Sequence, residues 1–374
     1  MALLKDAPRR WDHLPQTLVI FGLIKIVMVI GWWLTASSSQ PDAVYLLGDI
    51  GWYTGIAENW YQIPPGMTVG VNETNLAFFP MQPMLMRPFM WVGLSAMQAG
   101  IVVSTIASLV AAAGIYKIAL LRWDRRVAHY WCLVFAVWPL AVVTMSMPMS
   151  ESVFCAFAAW SLYYLMRKQL IVAAVLSIGC GLTRTTSVAV ILAVIWVAAY
   201  ELVKRRQIRN AILAIVLAPA GFIGFVGYVG WLTDQTTGYL KVQEAWKSPF
   251  DFGAQSLRIM HGWLTGDLPP IPSHWLSMIT IVTSIILAIA FFLIKPPTAL
   301  TVFTVVILIM ILGFAFEPSQ LARLFTAAFT LLIPIALLLR RSRMTVAYTC
   351  IAVMGISAFI TGTYYLNHLP AHTI

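Results

Sequence analysis

Long apolar runs interrupted by small basic clusters constrain this chain more than any other feature. From Leu18 to Leu34 the only charged residue is Lys25, and runs of the same kind recur as far as Ala358. An apolar stretch of about 20 residues, wound as a helix, crosses the roughly 30 Å hydrocarbon core of a bilayer. The runs are continuous, unlike the short alternating strands of a membrane barrel. Composition agrees. Charged residues make up 10% of the chain and hydrophobic ones 60%, against about 25% charged in a soluble domain. The expected fold class is an all-α polytopic membrane protein.

The charges orient it. Lys5, Arg9, Arg10, Arg122, Arg125, Arg126, Arg167, Lys168, Lys204, Arg205, Arg206, Arg209, Lys295, Arg340, Arg341 and Arg343 all fall between apolar runs. Basic loops mark the cytoplasmic side. A threading that keeps all of them inside uses about eleven spans, near 16–36, 98–121, 127–146, 150–166, 170–184, 186–203, 210–232, 275–294, 298–316, 320–339 and 344–362. The N-terminus is then cytoplasmic and the first span is retained rather than cleaved. Segment 76–97 is apolar but holds Pro80, Pro83 and Pro88, which remove backbone donors. It reads as a re-entrant or interfacial piece of the first external loop. The chain reads as one membrane-embedded domain, 1–374, whose external loops at about 37–97 and 233–275 form a cap. Because the +10 net charge is spread over these clusters, nucleic acid is not an expected partner.

Cys132, Cys155, Cys180 and Cys350 lie in apolar runs without CxxC spacing, and His261, His274, His368 and His372 have no ligand spacing either, so neither a disulfide framework nor a metal site is expected. Phosphate-loop, dinucleotide and serine-hydrolase motifs are missing in the required context. No cofactor is expected.

Chemistry is expected on the outer side, where most acidic residues fall. Asp49, in Gly48-Asp49-Ile50-Gly51-Trp52-Tyr53, follows the first span. A carboxylate at a membrane boundary has a raised pKa and suits a general base, or it caps a helix. Asp42 and Glu58 are weaker versions of the same idea. Ala77-Phe78-Phe79-Pro80-Met81-Gln82-Pro83 makes a rigid apolar wedge, for a lipid groove or for interfacial packing. Glu151, with Ser150 as its N-cap, opens a span and is either a dipole partner or a functional acid. Arg184 and Arg323 stand outside against the positive-inside trend. Each either pairs with Glu151 or Glu317 or presents its planar fork to a phosphate. Tyr239 to Lys247 mixes aromatic and polar residues, as sugar contacts or an interfacial helix would.

The order of these pieces resembles the PIG-V-type integral-membrane mannosyltransferases, which add the second mannose in glycosylphosphatidylinositol assembly, and their bacterial relatives. The matching residues are Asp49-x-x-x-Tyr53, Ala77-Phe78-Phe79-Pro80-x-x-Pro83, Pro148-x-Ser150-Glu151-Ser152-x-Phe154, Arg184, Val242-Gln243-x-Ala245-Trp246 and Arg323. Where that family commonly has Arg-x-Asn-Gly, this chain has Arg184-Thr185-Thr186-Ser187. The resemblance implies a GT-C fold, a polyprenyl-phosphate-mannose donor, inversion at the anomeric carbon, and a glycolipid or surface-glycan acceptor. Asp49 would be the catalytic base, and Arg184 and Arg323 would bind the donor phosphate. Tyr53, Phe79, Gln82, Glu151, Gln243 and Trp246 would contact or support substrate. Short cytoplasmic links favour a bacterial cell membrane over an endoplasmic reticulum. The rival readings are a lipid or solute transporter and a non-catalytic lipid-binding subunit.

Overall fold

The computed structural model describes residues 13–36, 49–63, 68–246, 249–267, 272–315 and 318–368. The readings placed on Lys5, Arg9, Arg10, Asp42, Gly48, Lys247, Glu317 and His372 lie outside them. Within the described residues all regular elements are helical, apart from isolated bridges such as Phe250 to Phe314.

The N-terminal part holds α1 (Leu14–Ala36), α2 (Asp49–Asn59), α3 (Met81–Trp91), α4 (Ala96–Arg122), α5 (Arg125–Ala136) and α6 (Ala141–Thr144). The middle holds α7 (Glu151–Met166), α8 (Leu170–Gly181), α9 (Val188–Val203), α10 (Ile208–Leu217), α11 (Ala220–Leu232), α12 (Gly238–Ala245) and α13 (Ala254–Thr265). The last part holds α14 (Pro272–Leu293), α15 (Thr298–Gly313), α16 (Pro318–Leu324), α17 (Ile333–Arg341) and α18 (Met344–His368).

Local chemistry sets the boundaries. Ser95 and Gln98 form a reciprocal capping box that starts α4, satisfying donors a helix start leaves open. Asp124 then caps α5 by accepting from the backbone N–H of Arg126 and Val127. Pro219 separates α10 from α11. On α1, Val19, Leu23, Val27, Ile30 and Leu34 are exposed while Phe21, Lys25 and Met28 are buried. An apolar exterior of this kind faces lipid.

Among the described residues, five segments are long and apolar enough to cross a membrane: Leu14–Gly31, Ala96–Arg122, Thr185–Val203, Ile208–Leu232 and Met344–Tyr364. The pair Gln320–Ala327 and Phe329–Arg341 makes a sixth only if it is counted as one span, since it bends by 80°. The expected count of eleven is therefore not reproduced by helix length, and the expected span at 320–339 is not a continuous helix. Its 3-10 turns at Phe325–Ala327 and Phe329–Leu332 free backbone groups. Broken backbone at membrane depth must be satisfied by protein, and Trp131 Nε1 donates to the Phe329 carbonyl at 2.9 Å. Segment 76–97 is broken, as expected: α3 has eleven residues with Pro88 inside, too short to span.

The bundle has two chemically distinct ends. Gly100 lies against Pro148 and Gly114 against Ala159, so α4 and α7 run parallel. Their C-terminal ends, with Arg122 and Arg167, lie at one end. There Arg340 Nε pairs with Asp124 at 2.5 Å and Lys168 Nζ with Glu201 at 2.6 Å. The opposite end carries α2 and the N-terminus of α7.

Candidate active site

At that opposite end four charged side chains meet. Asp49, the first residue of α2, places Oδ2 2.9 Å from Arg323 Nη2. Glu151, the first residue of α7, places Oε1 2.8 Å from Arg184 Nη1 and 3.4 Å from Arg323 Nε. The Asp49 side chain is 21% exposed and that of Glu151 0%. Both carboxylates sit in first helical turns, where the positive end of the helix dipole favours them. Two carboxylates and two guanidiniums leave the cluster formally neutral. A buried ion needs such partners, because removal from water costs several kcal/mol per charge.

Four different chain segments supply these groups. Pro148 ends the turn before α7, where Ser104 Oγ donates to the Met147 carbonyl at 2.6 Å and receives a bond from Gln82 Nε2 at 3.3 Å. Gln82, expected to contact or support substrate, is fully buried and braces the turn that presents Glu151. Arg184 has extended backbone between α8 and α9. Two residues earlier, the Leu182 carbonyl accepts from Met81 N–H at 2.9 Å, so the Phe79-Pro80 segment pins the Arg184 loop. Arg323 closes α16 just before the 3-10 turns. The bend at 320–341 is thus what brings its guanidinium to Asp49.

The expected residues divide into three groups. Asp49, Glu151, Arg184 and Arg323 form the charged centre. Tyr53 and Gln82 brace it. Tyr53 lies one turn along α2 from Asp49, is buried, and shares a side-chain hydrogen bond with Ser150. Ser150 was expected as an N-cap; it makes no side-chain capping bond and supports Tyr53 instead. Phe79, Gln243 and Trp246 belong to an aromatic layer. Phe79 packs on Phe225 at 4.4 Å between ring centres, and on Phe222 and Tyr239. Gln243 Nε2 donates to the Tyr239 hydroxyl at 2.9 Å. Trp246 meets Trp52 at 5.6 Å and Phe78 at 5.3 Å. The Phe78 ring also meets Tyr53 at 5.3 Å, so this layer abuts the charged centre. Elements of the two external segments, α2 and α12, therefore pack together. Glu58 is exposed at the far end of α2 and takes no part.

Sequence reasoning assigned no role to Trp52, Ser104, Phe222 or Phe225. Only the aromatic spacing of Trp52 one turn after Asp49 could have flagged one of them.

The electrostatics favour proton acceptance. Burial pushes the Asp49 carboxyl above the usual carboxylate range; Arg323 opposes that push, and Glu151 adds to it. Arg184 Nε and Arg323 Nη1 are buried donors with no hydrogen-bond partner in the protein. A buried unpaired donor costs about 1–3 kcal/mol, so both guanidiniums keep donor capacity toward a further acceptor. Among the described residues, no three His, Cys, Asp or Glu side chains converge as a metal site would require.

No family model matches the chain, and no curated protein sequence does. Solved structures do match its shape. The Archaeoglobus fulgidus oligosaccharyltransferase in its apo form superposes with a TM-score of 0.56 at 12% identity, over 96% of this chain and 56% of that one. ArnT from Cupriavidus metallidurans matches in two states. The apo form gives 0.52 at 13% identity over 91% of this chain and 63% of that one. The form bound to undecaprenyl phosphate gives 0.50 at 14% identity over 90% and 62%. This chain thus spans less than two thirds of the length of either neighbour. The chain shares the fold of these two proteins, a helical membrane-protein architecture.

Proposed function

We propose that this chain is an inverting membrane glycosyltransferase. It moves a hexose, mannose by the sequence resemblance, from a polyprenyl-phosphate donor to a hydroxyl of a glycolipid or surface glycan. The observation that carries this reading is the single cluster in which Asp49 meets Arg323, and Glu151 joins Arg323 to Arg184. One carboxylate suits the base, and two guanidiniums suit the leaving phosphate. The shared fold supports it, and so does the undecaprenyl phosphate bound to ArnT.

The reaction balances without further reagents. The acceptor oxygen attacks the anomeric carbon and forms the new glycosidic bond, while its proton passes to Asp49. The bond from that carbon to the phosphate oxygen breaks, and its electron pair leaves with the polyprenyl phosphate. Attack opposite the leaving group inverts the configuration. The leaving group needs charge stabilisation rather than protonation, which preorganised guanidiniums supply. Tyr53 and the Trp52, Phe78 and Trp246 rings would line the acceptor side. Assigning the basic end of the bundle to the cytoplasm supports a cluster at the outer face of a multi-pass membrane protein, and the short cytoplasmic links favour a bacterial cell membrane.

Purified chain reconstituted with radiolabelled polyprenyl-phosphate-mannose and a glycolipid extract tests this. Label transferred to acceptor is the expected result. Label crossing the bilayer without transfer would make the protein a flippase, and binding alone would make it a lipid-holding subunit.

A further inference from the structure

Arg323 stands between two carboxylates and pairs with both. Its Nη2 holds Asp49 at 2.9 Å and its Nε lies 3.4 Å from Glu151 as a looser ion pair, while Nε and Nη1 are both buried without a hydrogen-bond partner. Its two partners differ in kind. Glu151 is fully buried and also holds Arg184, whereas Asp49 keeps a fifth of its side chain in contact with solvent. Stripping a partner from a fully buried charge is costly, while a carboxylate that still reaches water can give up its partner at lower cost. Glu151 is therefore the fixed partner of Arg323 and Asp49 the replaceable one.

Resting on the glycosyltransferase reading above, we propose that Arg323 is handed over on donor binding. Before the donor arrives it holds the Asp49 carboxylate. The donor's phosphodiester then takes the guanidinium from Asp49, so the base is released only once the sugar is in place. Glu151 acts as the positioning residue about which Arg323 changes partners, and it keeps Arg184 beside the same phosphate. Charge matching favours an exchange of this kind. The cluster is neutral, and an arriving monoanion would otherwise face guanidiniums already matched by carboxylates.

The groups around Asp49 make the exchange readable by pH. Glu151 faces it from α7, Arg184 from the loop before α9, Arg323 from α16, and Tyr53 from its own helix. From α3, Arg87 donates to the Ala57 carbonyl near the other end of α2. The packed helix α4 carries no charged residue before Lys117. Protonating Asp49 removes its claim on Arg323, and so must favour the phosphate.

The experiment measures binding of a short-chain prenyl methyl phosphodiester, whose single negative charge does not titrate over the range, to the full-length protein in detergent. Asp49→Asn should bind it about 5-fold or more tightly than wild type, the lower end of common coupling between two ligands. Wild-type binding should tighten as pH falls through the titration of Asp49, and binding by Asp49→Asn should be flat. Equal or weaker binding by Asp49→Asn would overturn the handover. Should that variant not fold, pH-independent binding by wild type would overturn it equally. Complete failure of wild type to bind the phosphodiester would instead remove the polyprenyl-phosphate donor itself, a different result from the other two.

Discussion

Replacing Glu151 by Gln changes one atom and removes one charge from the centre of the cluster. The side chain is fully buried and serves Arg184 at 2.8 Å and Arg323 at 3.4 Å. The neutral cluster becomes a buried net cation, with Asp49 alone facing two guanidiniums. Breaking a buried pair from one side costs about 3–5 kcal/mol. The amide keeps an acceptor oxygen, so the lower end applies, about 3 kcal/mol. An unfolding entropy of roughly 2 cal/mol/K per residue gives about 0.8 kcal/mol/K for this length, and hence a fall in Tm of about 4 °C. Thermal unfolding of detergent-solubilised protein reads this. The double variant Glu151→Gln/Arg184→Gln restores neutrality and should recover at least half of the loss, because contacting charges are not additive. A single variant as stable as wild type, or a double variant worse by the sum of its parts, would refute the view of Glu151 as the hub of the cluster.

Other outcomes follow from the same geometry. Asp49→Asn should lower transfer by about 10²–10⁴-fold, the usual contribution of a positioned base, while circular dichroism stays unchanged; transfer within threefold of wild type would remove Asp49 from the chemistry. Because burial raises the Asp49 pKa and a base works deprotonated, the rate should fall with falling pH along a limb above the ordinary value of about 3.9; a rate profile flat down to that value contradicts the assignment. Arg323→Ala should raise the donor KM more than the acceptor KM, and Arg323→Lys should restore it only in part, since a point charge lacks the fork. Gly221→Ala places a methyl against the Ile178 carbonyl, where α11 lies directly on α8; a loss of about 1–3 kcal/mol by overpacking is expected, and an unchanged melting curve would show that the two helices can separate.

Much of the chain's character was readable from residue order. Solvation is additive along a chain, so runs such as Leu18 to Leu34 declare a membrane helix without reference to any neighbour. Proline acts locally too, and the break at 76–97 follows from Pro80, Pro83 and Pro88. Asp49, Glu151, Arg184 and Arg323 were legible as candidates because a charge beside apolar runs needs a reason to be there. Their mutual arrangement was not. Arg184 pairs with Glu151 across 33 positions of sequence, and Arg323 with Asp49 across 274. Such pairing depends on how the helices pack. The bend at 320–341 is the clearest case: its residues read as one apolar span, and the break is stabilised by tertiary contacts to the buried turns, Trp131 to the Phe329 carbonyl and Thr304 to the Thr330 hydroxyl. Gln82 and Phe79 show the same limit, since nothing local distinguishes a residue that touches substrate from one that braces the loop beside it. Sequence sets what each segment costs to place in water or lipid, whereas the packed bundle sets which buried polar groups find one another.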